Sequence, residues 1–92
     1  MRTAAKVDRN QPEIVKGLRK YGASVLIVSQ LKNCFDILVG YNGVTHIMEI
    51  KDGKLPPSGK RLSSGEEKFK SSWRGGKYNV VESLEQAINL LT

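Results

Sequence analysis

The chain has little sulfur, few aromatic residues and a shortage of acids. Its single cysteine, Cys34, excludes an intramolecular disulfide and a cysteine-based zinc centre. No apolar run approaches the length of a membrane span, and the opening Met1-Arg2-Thr3-Ala4-Ala5-Lys6 has no apolar stretch behind it, so neither an anchor nor a signal peptide is expected. The expected location is the cytoplasm. Two Phe, three Tyr and one Trp supply few bulky anchors for a core. At 92 residues the chain lies near the lower end of what buries a self-sufficient core. A second subunit covering part of the surface would add stability, which favours a homodimer. Fifteen Lys and Arg against nine Asp and Glu leave a net charge of +6, with a sequence pI near 9.7. That balance suits a polyanionic partner such as nucleic acid, although a basic surface also serves solubility alone.

What is present reads as an α/β chain in the order α-β-β-β-α-β-α, one domain over 1–92. Residues 1–9 are polar, basic and aperiodic, a loose arm. A helix is expected over Gln11–Tyr21. Asn10 and Glu13 stand at capping-box spacing, Pro12 falls in the first turn, and Ile14, Val15, Leu18 and Tyr21 form one stripe before Gly22. The β-branched run over 23–29 predicts a buried strand. Strands over 35–40 and 44–51 flank Asn42-Gly43, a strong signal for a type I′ hairpin. Residues 52–61 are rich in Gly, Pro, Ser and Lys and read as a mobile basic loop. A helix over 64–74 follows, with Ser63 and Glu66 at capping-box spacing. A short strand over 77–82 and a last helix capped by Ser83 complete the chain.

The hairpin yields the sharpest inference. With Asn42 and Gly43 as the turn, cross-strand partners sum to 85, which sets Asp36 opposite Glu49 with Cβ atoms about 4.5–5.5 Å apart. Two carboxylates that close repel each other, and a divalent cation resolves the conflict, Mg²⁺ favouring carboxylate oxygens plus retained waters. Lys51 projects from the same face as Glu49, placed to position a water or to meet charge developing on a phosphate. Leu38, Thr45 and Ile47 should share that face. Phe35, Ile37, Val39, Met48 and Ile50 should line the other, packed on a helix, with the lone His46 among them near the turn. A solvated Asp and Glu at the sheet margin, with Lys51 as their counter-charge, is the plainer alternative. Cys34 should sit near Lys51 as a small loop residue, and Phe69 and Trp73 should build core or a dimer seam.

An Asp, a spacer and then Glu-X-Lys across a hairpin, here Asp36 and Glu49-Ile50-Lys51, resembles the PD-(D/E)XK nuclease superfamily. Within it the chain is most similar to small virus-type replication-repair nucleases (VRR-NUC), often carried by phages. The similarity runs from about Asp8 to Leu91. It rests on Asp8-Arg9-Asn10-Gln11-Pro12-Glu13, Asp36-Ile37-Leu38-Val39-Gly40, Met48-Glu49-Ile50-Lys51-Asp52-Gly53, Leu62-Ser63 and Val80-Val81-Glu82-Ser83. One departure is Asn33-Cys34-Phe35, where the family usually has Gly-X-Pro. The resemblance implies a restriction-endonuclease-like core, a mixed four-stranded sheet flanked by helices, and hydrolysis of phosphodiester bonds with Mg²⁺ or Mn²⁺. It implies Asp36, Glu49 and the Ile50 carbonyl as metal ligands and a dimeric endonuclease acting on branched DNA, such as a Holliday junction resolvase. It also offers Glu13 as a further ligand, with a weaker claim for Gln11, although the capping box explains a Glu there equally well.

Lys54, Lys60 and Arg61 lie in the loop after the catalytic strand, and Lys68, Lys70 and Arg74 on the helix that follows. As a group they are expected to grip phosphates without reading sequence. The rival reading from another class is a non-catalytic DNA-binding module on a nuclease fold, and a third is a protein-assembly subunit.

Overall fold

The structure, a computed structural model, describes residues 8–92. The element order is α1 (Gln11–Tyr21), β1 (Ser24–Ile27), β2 (Ile37–Tyr41), β3 (Val44–Ile50), a 3₁₀ turn at Pro57–Lys60, α2 (Ser64–Ser72), β4 (Tyr78–Val81) and α3 (Leu84–Leu91). The strands form one open mixed sheet, β1-β2-β3-β4. The first three run antiparallel and β4 lies parallel to β3. A parallel neighbour needs a crossover, and the segment carrying α2 supplies it. Among the described residues no helix is long and apolar enough to cross a membrane.

Helix α1 has the expected bounds, and Gly22 ends it with φ of 113°, a left-handed conformation that suits glycine. Its start differs from expectation. Asn10 is itself in the right-handed helical region and makes no side-chain cap. Its Nδ2 instead donates to the main-chain carbonyls of Lys51 and Glu82, at 3.1 and 3.0 Å. The capping box with Glu13 is therefore absent: the helical backbone of Asn10 and the hold of the two carbonyls on its Nδ2 keep Oδ1 off the Glu13 N–H, and that oxygen is left without a partner. The expected arm lies mostly outside the described residues, over 1–7. Its last two members, Asp8 and Arg9, are tied down. The Asp8 carbonyl accepts from the Gln11 N–H at 3.0 Å, and Arg9 pairs with Asp52 at 2.9 Å.

The core lies between the sheet and the α1–α3 pair. Ile14, Val15 and Leu18 of α1 meet Val25, Ile37, Val39, Met48, Ile50 and Val81 of the strands and Ala87 of α3. Leu18, Ile37, Val39 and Met48 are wholly buried, and the period of two along a strand sets Ile37 and Val39 of β2 beside Met48 and Ile50 of β3 on this face. His46 pairs with Val39 on this face, towards the turn, and is half-buried.

The opposite face carries α2, which has no buried residue of its own. Phe69 stacks on Trp73 with ring centroids 5.4 Å apart, and both approach Phe35, at 5.9 and 6.4 Å. Phe69 also meets Tyr78. Phe35 therefore packs under α2 rather than on the α1 side. Regular pairing begins only at Ile37, so strand alternation does not govern Phe35. The 23–29 run also departs from expectation. It forms the shorter β1 at the sheet margin, where Leu26 and Ile27 are 59% and 51% exposed. Only one flank of an edge strand is paired, and a run of β-branched residues cannot reveal which strand is the edge. Helix α2 stops at Ser72, leaving Trp73 and Arg74 beyond it.

Candidate functional site

The turn Asn42-Gly43 has φ of 52° and 78°, the positive values a type I′ hairpin requires. It sets the expected register: Tyr41 faces Val44 and Ile37 faces Met48. The ladder ends there: Asp36, expected opposite Glu49, is not its ladder partner and is held by other main-chain groups on both sides. Its N–H donates to the Met48 carbonyl at 3.1 Å, and its carbonyl accepts from the Val28 N–H at 2.8 Å. Its carboxylate, through Oδ2, accepts the Ile50 N–H at 2.7 Å. The loop before it is pinned as well, since the Tyr78 hydroxyl donates to the Cys34 carbonyl at 2.9 Å.

Glu49 is buried on the α2 face of β3, alternating with the core residues Met48 and Ile50. Lys51 follows on the same side, and its main-chain N–H donates to Val81 at 3.0 Å. Its Nζ lies 3.5 Å from Glu49 Oε2 and 3.2 Å from Oε1 of Glu66 on α2. Asp8, Asp36, Glu49, Ile50, Lys51 and Glu66 all line one small polar cavity of about 80 Å³, with Ser29, Cys34 and Phe35 in its wall. Four carboxylates and one ammonium thus share a confined space.

The electrostatics follow from that crowding. Burial, with Asp36 and Glu66 adding repulsion, pushes the Glu49 carboxyl up to about 9. Burial also raises Asp36. The Ile50 N–H counteracts that rise, and Asp8 and Glu66 reinforce it. Burial raises Asp8 too, against the pull of Lys51. For Lys51 burial favours the neutral amine, but the hydrogen bond and charge of Glu66, with Glu49, outweigh it and leave the group raised. Burial opposes the ionised form of Glu66, yet the Ser63 N–H and its contacts with Glu49 and Lys51 hold it below the usual range. Tyr78 is raised by burial and by the nearby carboxylates, so it stays a hydroxyl donor.

A hard-oxygen donor set of this kind suits Mg²⁺ or Mn²⁺. Among the described residues no three His, Cys, Asp or Glu side chains gather as a metal-holding group. What the cavity could offer such a cation is one or two carboxylates completed by water, a manner in which Mg²⁺ is commonly held.

Of the residues expected at the site, the structure brings together Asp36, Glu49, Ile50 and Lys51. Glu13 is exposed on α1 and does not line the cavity. Gln11 is buried and donates to Ser29 Oγ at 3.2 Å, one residue away from the cavity rather than in its wall. Lys60 pairs with Glu82 at 3.4 Å. Lys54, Arg61, Lys68, Lys70 and Arg74 are exposed and have no acidic partner among the described residues. Two members of the cavity were not foreseen. Asp8 falls where the sequence suggests a loose arm. Glu66 is legible as a cap, and the cap is present, but its reach to Lys51 is tertiary.

The fold and site define an α/β domain with a mixed four-stranded sheet and an acidic cavity built around a lysine. Comparison with protein-family models, curated proteins and solved structures returns no significant match.

Proposed function

We propose that this chain is a metal-dependent nuclease hydrolysing phosphodiester bonds in DNA, with Asp36, Glu49 and Lys51 as its catalytic cluster. The observation that carries the reading is the single cavity lined by Asp36, Glu49 and Lys51, with Lys51 Nζ 3.5 Å from Glu49 Oε2. In this reading the α-β-β-β-α-β-α order is the restriction-endonuclease-like core of the PD-(D/E)XK superfamily, in a VRR-NUC-like form. Asp36, Glu49 and the Ile50 carbonyl would hold Mg²⁺ or Mn²⁺, and Asp8 stands close enough to the same cavity to assist through water. When bound, the cation supplies Lewis-acid polarisation of a phosphate oxygen and a more acidic water.

The protein's own residues do the remainder. The Ile50 N–H holds Asp36 Oδ2 and so fixes the carboxylate at the cavity wall. Lys51, kept protonated by Glu66 and Glu49, offers a positive charge to a phosphate whose negative charge grows during in-line displacement. The unpaired cations of α2 and the preceding loop would contact flanking phosphates, which positions DNA without reading its sequence. Branched DNA, including the four-way junction, is the proposed substrate class, and a homodimer the proposed working form.

The test is a panel of end-labelled duplex, flap and four-way-junction DNAs with Mg²⁺, Mn²⁺ or chelator. Cleavage of a branched substrate with metal, and none with chelator, is expected. No cleavage of any substrate would overturn the proposal. The lack of a three-side-chain metal group among the described residues favours, as the second reading, a non-catalytic DNA-binding module on the same fold. Lys51→Ala separates the two: an enzyme loses cleavage while retaining DNA binding, and a binder has no cleavage to lose.

A further inference from the structure

We infer that Glu66 is the positioning residue for Lys51: from α2 it holds the ammonium group at the Asp36–Glu49 cavity, so that seating of α2 and readiness of the site are one event. The inference rests on the nuclease reading for what Lys51 does, and on geometry for who holds it.

Glu66 Oε1 has two donors, Lys51 Nζ at 3.2 Å and the Ser63 N–H at 2.9 Å. The Glu66 N–H in turn donates to Ser63 Oγ at 3.1 Å. The carboxylate therefore cannot swing away from Lys51 without loosening the first turn of α2. A lysine ammonium sits on a flexible four-carbon stem, and its direction is set by whatever accepts its protons. Glu49 is the nearer residue in sequence but the more distant acceptor, at 3.5 Å. A cation at the carboxylate pair would compete for Glu49, whereas Glu66 stands on a different element and keeps its hold.

The attachment of α2 supports the same conclusion. The helix buries no residue and adheres through the Phe69–Trp73 ring pair at one end and Glu66 at the other. A capping box accepts Gln as readily as Glu at this position. Helix initiation alone does not require an acid here, while Lys51 does.

That difference supplies the experiment. Glu66→Gln keeps the cap and removes the charge, and Glu67→Gln, on the same helix and exposed, is the control. First, urea unfolding in chelator is measured for the wild type, Glu66→Gln, Lys51→Met and the double variant. A coupling of about three- to tenfold in the unfolding constant is expected, and strict additivity would overturn the contact. Second, cleavage of the best DNA substrate is followed with Mn²⁺. Glu66→Gln should lower kcat about 10- to 100-fold, the usual effect of losing a supporting partner. KM should stay within about twofold of wild type, and Lys51→Met should fall no further when Glu66→Gln is added. Wild-type kcat in Glu66→Gln would overturn the positioning role while leaving the nuclease reading intact. A wild-type protein that cleaves none of the DNAs would overturn the nuclease reading, and the positioning role with it, even if the coupling in chelator survives.

Discussion

Raising the pH from 6 to 8 in chelator should destabilise this protein, although most domains are near their best in that range. The cause is Glu49, whose carboxyl moves from an ordinary 4.5 to about 9 on folding. Between those values the folded state holds a proton that the unfolded state has released. The stabilisation is complete below 4.5 and drains away as pH rises towards 9. One proton gives at most about 1.4 kcal/mol per pH unit. Solvent reaching the cavity lowers the folded value and closes this window sooner, so about half of the full loss over two pH units is the working figure. Two pH units then remove about 1.4 kcal/mol, and at about 4–8 °C per kcal/mol for a domain of this size the Tm should fall by about 6–11 °C. Circular dichroism melts at pH 6, 7 and 8 give the answer. Glu49→Gln should flatten the dependence, and Mg²⁺ or Mn²⁺ should restore more stability at pH 8 than at pH 6, because binding needs the ionised carboxylates. A wild-type Tm that is level or rising in chelator would refute the electrostatic reasoning, as would an equally steep fall in Glu49→Gln.

Three further outcomes follow from other parts of the molecule. Asn10→Ala should cost about 2 kcal/mol in urea unfolding, because its amide serves the Lys51 and Glu82 carbonyls together; a loss under about 0.5 kcal/mol would return Asn10 to the status of an ordinary surface residue. Met48→Ala removes a wholly buried side chain from the centre of the sheet and should cost about 3 kcal/mol, measured the same way. Replacing Lys68, Lys70 and Arg74 together by Ala should weaken DNA binding and reduce the slope of log K against log salt by about 2–3. An unchanged slope in fluorescence-anisotropy titrations would remove these residues from the interface.

The sequence was most legible where local chemistry decides the outcome. Asn42-Gly43 can hardly be anything but a tight turn, and from it the alternation of Ile37, Val39, Met48 and Ile50 towards the core, with Glu49 and Lys51 away from it, follows from the period of two. Helix α1 and the Ser63–Glu66 cap were legible for the same reason. Legibility failed where a partner distant in sequence wins. Asn10 has the right identity and spacing for a cap, yet the carbonyls of Lys51 and Glu82 take its amide. Glu13 lies on the surface, while Asp8, in a stretch without periodicity, reaches the cavity. Phe35 precedes the regular ladder and turns towards Phe69. Apolar content in β1 said nothing of its position at the sheet margin, because edge and centre differ in neighbours rather than in composition.

The pairing of Asp36 with Glu49 as a cation site is tested most directly by calorimetric titration of Mn²⁺ into the metal-free protein at pH 8. Saturable binding is predicted for the wild type, at least tenfold weaker in Asp36→Asn and in Glu49→Gln, by about the loss expected for one ligand or its support. No binding heat in the wild type, or equal affinity in all three proteins, would contradict it.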